Sequence, residues 1–205
     1  MSGCAVTGSG PRARCPDDPD VAELVTVGHG TASEKELAGL LRDAEVEAVV
    51  DVRRFPGSRR HPHVARERLE SWLPAAGIDY RWEERLGGRR RGTPGSAHTG
   101  LRNTSFRAYA DHMGTAEFGA AVDGLLATAR RRRVAIMCSE SLWWRCHRRL
   151  IGDYVALLTD VRVRHLLHDG RLVVHQPTDV VRVAAGVLLY DGGQPTLPVA
   201  PDPPA

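Results

Sequence analysis

"ELVTVGHGTASEKELAGLLRDAEVEAVVDVR" (residues 23–53) decides the fold. Residues 23–28 form a short apolar run of strand length that ends on glycine. Residues 33–44 then follow a helical pattern. Ser33 stands at the N-cap position and Glu36 three residues on, the spacing of a capping box. Residues 47–53 return to a β-branched apolar run. Strand, helix and strand within about thirty residues is the βαβ unit, which builds parallel sheets with right-handed crossovers.

The alternation continues downstream. Residues 64–77 predict a helix closed by Gly77, 78–84 a third strand, and 87–103 a long polar loop. Helical patterns cover 105–113 and 116–132, and 134–138 ("VAIMC") is a fourth strand. One continuous helix is expected over 142–158. Residues 161–167 and 171–176 flank His168-Asp169-Gly170 and predict a C-terminal hairpin. Residues 181–190 fit either a strand or a short helix. The expected fold class is therefore α/β, a Rossmann-like, mainly parallel sheet flanked by helices, with a C-terminal hairpin. The expected organisation is a disordered tail over 1–20, one α/β domain over 21–178, and an extension over 179–205 ending in a Pro-rich tail.

A chain of 205 residues, 42% hydrophobic and 26% charged, is long enough for one domain with a real core. No apolar stretch reaches the roughly 20 residues of a membrane span, so no membrane partner is expected. The first twenty residues carry no apolar signal segment, which makes the cytoplasm the expected location. Four cysteines (Cys4, Cys15, Cys138, Cys146) are too few and too unevenly spaced for a disulfide scaffold. The net charge is only +3, yet residues 53–102 hold twelve arginines against five carboxylates. Arginine forks match phosphate and carboxylate, so an anionic small molecule or a nucleic acid is the expected partner, against the alternative of a solvated basic surface.

In parallel sheets, ligands sit beyond the carboxyl ends of the strands. That rule gathers His29 after the first strand, Asp51 and Arg53 at the end of the second, and Cys138 and Glu140 at the end of the fourth. The last of these belongs to "IMCSESLWWRCHRRL" (136–150), which has three readings. Cys138 is a reactive thiolate, its pKa lowered by a helix N-terminus and nearby arginines, with His147 or Glu140 moving protons. Alternatively Cys138, Cys146 and His147 bind a metal or cofactor, with a fourth ligand such as His29 or His165. Against that, the Cys-x7-Cys-His spacing is not a standard zinc pattern, and adjacent side chains on a helix diverge. Lastly, both cysteines are small core residues beside a satisfied histidine. On a continuous helix, Arg145, Arg148 and Arg149 point outward. "GHG" (28–30) has the look of a phosphate-approach turn or simply of a tight strand-to-helix turn.

Taken as an ordered set, "TVGHG" (26–30), "VVDVRRFPGSRR" (49–60), "YRWEERLGG" (80–88), "FRAYADHM" (106–113), "IMCSE" (136–140) and "CHRRL" (146–150) resemble the domain of unknown function 488 family (DUF488). The resemblance runs over about residues 24–176. It implies a compact α/β domain and a family pattern that includes His29, Asp51, Arg53, Ser58, Cys138, Glu140, Cys146, His147 and Arg148. It implies no particular reaction. Two departures stand out: Gly30 replaces a common serine, and "SLWW" replaces an acidic, proline-containing stretch.

The leading expectation is an enzyme for an anionic, nucleotide-like or nucleic-acid substrate. His29, Arg53, Ser58 and Arg148 hold the anion. Cys138, Glu140 and His147 supply nucleophile or acid–base chemistry, Asp51 orients a partner, and the site residues so read include no metal. The cofactor and the oligomeric state stay open. The competing expectation is a non-catalytic nucleic-acid-binding module using the Arg-rich 81–102 segment and Trp144.

Overall fold

A computed structural model describes residues 21–193. Six strands form one sheet: β1 (Glu23–Gly28), β2 (Ala48–Asp51), β3 (Asp79–Trp82), β4 (Val134–Cys138), β5 (Arg162–Leu166) and β6 (Leu172–Val174). Their order is β3-β2-β4-β1-β5-β6; the first five are parallel and β6 runs antiparallel to β5. The expected α/β class and the β5–β6 hairpin are therefore present. The proposed tails 1–20 and 195–205 lie outside the described residues.

Helices cover both faces, so the inner strands are buried on both sides and read as continuous apolar runs. Helices α1 (Glu34–Asp43) and α2 (Arg66–Ala75) pack through Leu37, Leu41, Leu69 and Leu73 on the face presented by Val25, Val27, Val49 and Met137. Helices α3 (Thr104–Met113), α4 (Ala116–Ala129) and α5 (Arg148–Leu158) cover the opposite face, where Tyr109, Phe118, Leu125 and Leu150 meet Leu24, Val50 and Ile136. The capping box of α1 is formed: Ser33 Oγ accepts from the Glu36 amide, and the Glu36 carboxylate accepts from the Ser33 amide at 2.7 Å.

Two expectations change. Residues 181–190 form neither one strand nor a helix but a separate hairpin, β7 (Val181–Ala184) with β8 (Val187–Tyr190). Ala185 and Gly186 both have positive φ, as this tight turn requires. An alanine there gives no turn signal. The helix expected from residue 142 begins only at Arg148. Trp143–Arg145 form a single 3-10 turn and Cys146 is extended (φ −120°, ψ 152°). The cause is tertiary: the Trp143 ring stacks on His165 at 3.9 Å with the planes 6° apart, and this holds the turn against β5.

The C-terminal hairpin is tied to α5 through a buried polar chain. Asp153 accepts from His175 Nε2 at 2.9 Å, from the Thr178 amide and hydroxyl, and from Tyr190 Oη at 3.0 Å. His175 Nδ1 lies 2.9 Å from His165 Nε2, and His165 Nδ1 lies 2.7 Å from Thr26 Oγ1. Burial, then the neighbouring His175, pushes the pKa of His165 far down. The unfolded chain therefore takes up a proton near pH 6.5 that the folded chain refuses, so stability is lost as pH falls below that value. The unfolding free energy from urea titrations should drop between pH 7 and pH 5, by at most about 1.4 kcal/mol per pH unit for this histidine. The drop should shrink in His165→Asn. A flat profile in the unmutated protein would contradict this account.

Candidate active site

The sheet order creates a crevice at its centre. From β1 the chain runs through α1 to β2 on one side, and from β4 it runs through α5 to β5 on the other. Neighbouring strands whose connections leave in opposite directions open a gap at their carboxyl ends. There the His29 amide donates to Cys138 O at 2.9 Å and the Gly30 amide to Ser139 O at 3.0 Å. The "GHG" amides are thus engaged by β4, and the turn extends the strand pairing instead of cradling a phosphate.

A cavity of about 510 Å³ opens at this edge. It brings together His29, Arg53, Ser58, Cys138, Glu140 and His147. Asp51 and Arg148 lie beneath it and do not line it. Asp51, fully buried, accepts from Arg53 Nε at 2.9 Å and Nη2 at 2.6 Å, and from Tyr80 Oη at 2.8 Å. Arg53 Nη2 also donates to Val64 O at 2.9 Å. Burial opposes the charge of Arg53, but Asp51 outweighs it and raises its pKa. Only Nη1 is left facing the site, 3.4 Å from His29 Nε2. Burial and then Arg53 pull the His29 pKa down to about 4, so its ring is neutral at pH 7.

Arg148 is 1% exposed, the reverse of the outward orientation expected on a continuous helix. Its Nη2 donates to the Glu140 carbonyl and its Nε to Cys146 Sγ at 3.4 Å. This packing explains Gly28: a Cβ there would lie 1.9 Å from Glu140 O and 2.7 Å from Arg148 Nη2. Arg145, also expected to face outward, lines the cavity because its turn is separate from α5.

Cys138, Cys146 and His147 converge. His147 Nδ1 is 3.8 Å from Cys138 Sγ and 3.6 Å from Cys146 Sγ. His147 Nε2 lies 3.0 Å from Val52 O, which can only accept, so the ring proton sits on Nε2 and Nδ1 carries a lone pair. The two thiols are free and buried. Hydrogen bonding to Cys146, reinforced by burial, pushes Cys138 up to about 12. Hydrogen bonding from Cys138, with attraction to Arg148, brings Cys146 down to about 6 against the effect of burial. The lowered thiol is thus Cys146, the opposite of the pKa expected for Cys138. The sequence argument that adjacent residues 146 and 147 diverge also fails, because the helix is broken there. Neither His29 nor His165 turns a ring nitrogen toward the pair; each is bonded elsewhere.

The sequence reading missed part of the lining. Phe106 and Tyr109 reach the cavity from one face of α3, an i, i+3 spacing visible in the sequence. Tyr109 packs edge-on against His147 at 5.0 Å and donates to Leu86 O at 2.7 Å. Arg54 and Phe55 also contribute, and Arg89 reaches in from the Arg-rich 81–102 segment singled out in the sequence. Arg89 holds a left-handed backbone (φ 56°), a conformation that non-glycine residues rarely keep without a local reason.

The family model for the domain of unknown function DUF488 matches residues 33–155. The chain belongs to the DUF488 family. The matched segment carries every cavity residue named above except His29. No curated protein and no solved structure matches this DUF488 chain.

Two glycine-to-alanine variants contrast the crowded position beneath the site with an open one in α1. Gly28→Ala should cost about 1–3 kcal/mol through overpacking against Glu140 and Arg148. Gly39→Ala, in α1 with nothing within 4 Å of the new methyl, should add about 0.5–1 kcal/mol. Thermal and urea denaturation of the two variants should therefore move in opposite directions.

Proposed function

We propose that this DUF488 protein is an enzyme that binds an anionic, nucleotide-like substrate in the 510 Å³ cavity and acts on it with the Cys138–Cys146–His147 group. The main support is that uncommitted guanidinium groups share the cavity with that group. Among the described residues, the side chains of Arg89 and Arg145 make no hydrogen bond or ion pair, and both are exposed along the wall. Arg53, by contrast, is neutralised by Asp51 and acts as a fixed part of the frame. Two free forks from separate segments suit a phosphate or polyphosphate.

Other features agree with this reading. Phe55, 64% exposed, and Phe106 offer ring faces for a planar base. The cavity volume falls in the range of small-ligand sites. Ser58 Oγ accepts from the His61 amide at 3.0 Å and keeps its hydroxyl proton for a ligand. Glu140 is exposed at the rim, where one carboxylate oxygen accepts from the Leu142 amide and the other is free to move a proton. Among the described residues no helix is long and apolar enough to cross a membrane. A cytoplasmic location belongs to the same proposal.

Nucleoside mono-, di- and triphosphates should raise the melting temperature in proportion to their charge, and unphosphorylated nucleosides should not. Added salt should weaken the effect. Arg89→Glu and Arg145→Glu should each reduce affinity roughly tenfold or more, the scale of one lost charge-assisted hydrogen bond. Equal binding of nucleosides and nucleotides, or charge reversals without effect, would contradict the reading. Salt-dependent binding of oligonucleotides without turnover would favour a binding module built on residues 81–102 and Trp144 instead.

A further inference from the structure

We infer that Cys138 Sγ, Cys146 Sγ and His147 Nδ1 form a three-ligand site for a thiophilic divalent cation, best matched by zinc, with a fourth position open to the cavity. The three donor atoms all lie within 4.8 Å of one another. In a tetrahedral zinc site, bonds of about 2.3 Å to sulfur and about 2.0–2.1 Å to nitrogen place a sulfur and a nitrogen roughly 3.6 Å apart. The two Nδ1–Sγ separations are 3.6 and 3.8 Å.

The proton inventory points the same way. His147 donates from Nε2 to Val52 O, the outer-shell bond that fixes tautomer and ring angle in metal-bound histidines. Its Nδ1 lone pair therefore faces both sulfurs. Both sulfurs converge on that one lone pair, and a cation placed between them engages all three donor atoms at once. Cys146 Sγ additionally accepts from Arg148 Nε at 3.4 Å, a bond suited to a thiolate ligand.

Backbone geometry makes the convergence possible. Cys146 is extended while His147 is already helical (φ −60°, ψ −17°), which turns two consecutive side chains to one side. Gly88 keeps the approach clear, since a Cβ there would sit 3.0 Å from His147 Nδ1. All three ligands also line the cavity, so the fourth corner faces whatever occupies it. Three protein ligands and one open corner is the pattern of catalytic zinc sites rather than closed structural ones. Two thiolates and an imidazole select zinc or another soft ion over magnesium or calcium. A bound ion would present Lewis acidity or a bound water to the ligand held by Arg89 and Arg145. Only this last role rests on the proposed function.

The test uses the full chain, reduced, stripped with chelator and titrated with Co²⁺. One equivalent should produce the ultraviolet thiolate-to-cobalt band and the visible bands of a tetrahedral ion, and one equivalent of Zn²⁺ should erase them. Cys146→Ser and His147→Gln, checked for folding by circular dichroism, should lose the spectrum. Cys4→Ser/Cys15→Ser should keep it. Should the site variants fail to fold, the unmutated protein still decides the matter. Zinc should protect Cys138 and Cys146, mapped by mass spectrometry, from iodoacetamide. A folded chain with no charge-transfer band and no zinc protection overturns the inference, as does loss of the spectrum in Cys4→Ser/Cys15→Ser. A tetrahedral cobalt spectrum without nucleotide binding would leave the metal site standing and remove the proposed substrate; the converse result would do the opposite.

Discussion

Arg148 is the cation on which the site is assembled. It is buried where an arginine is costly to bury, and its hydrogen bonds show what that burial achieves. One guanidinium nitrogen holds the carbonyl of Glu140 and another the sulfur of Cys146. It thereby fixes both ends of the segment linking β4 to α5, the segment that carries the sulfur–imidazole group. Gly28, on the neighbouring strand, leaves the room this requires. The turn, the glycine and the buried charge are one structural solution, and each loses its purpose without the others.

The cations around the cavity fall into two kinds. Arg53 and Arg148 are buried and held by protein partners, so their charge shapes chiefly the frame. Arg89 and Arg145 are exposed and free of protein partners among the described residues. The distinction is invisible in a count of arginines, which treats all twelve in the 53–102 segment alike. A buried ion pair such as Asp51–Arg53 adds little net stability compared with an apolar pair. Its effect is directional: Arg53 is pinned by Asp51 and Val64 O, which leaves a single nitrogen edge beside a neutral His29.

What could be read from the sequence was what is locally encoded. Alternating strand and helix patterns, the Ser33–Glu36 capping box and the rule about strand carboxyl ends gathered His29, Asp51, Arg53, Cys138 and Glu140 at one edge, and the structure has all of them but the buried Asp51 around one cavity. What escaped was set by contacts between distant residues. The helix pattern over 142–158 has no Pro or Gly to interrupt it before Gly152, so nothing local announces the break at Cys146. The break follows from Trp143 stacking on His165 and from Arg148 reaching back to Glu140. Once it exists, Arg145 turns toward the cavity and Arg148 into the core, reversing both expected orientations. The β7–β8 hairpin was hidden for a related reason, because its left-handed turn uses an alanine where asparagine would have advertised it.

The placement of β4 between β1 and β2 also dictates an order of assembly. The first two strands cannot pair with each other; both wait for residues 134–138, which leave the ribosome after more than a hundred others. The bond from His147 to Val52 joins residues 95 apart in the chain, and closing so long a loop is slow relative to forming local helices. Cys138 and Cys146 therefore emerge together, late, and next to the frame that receives them.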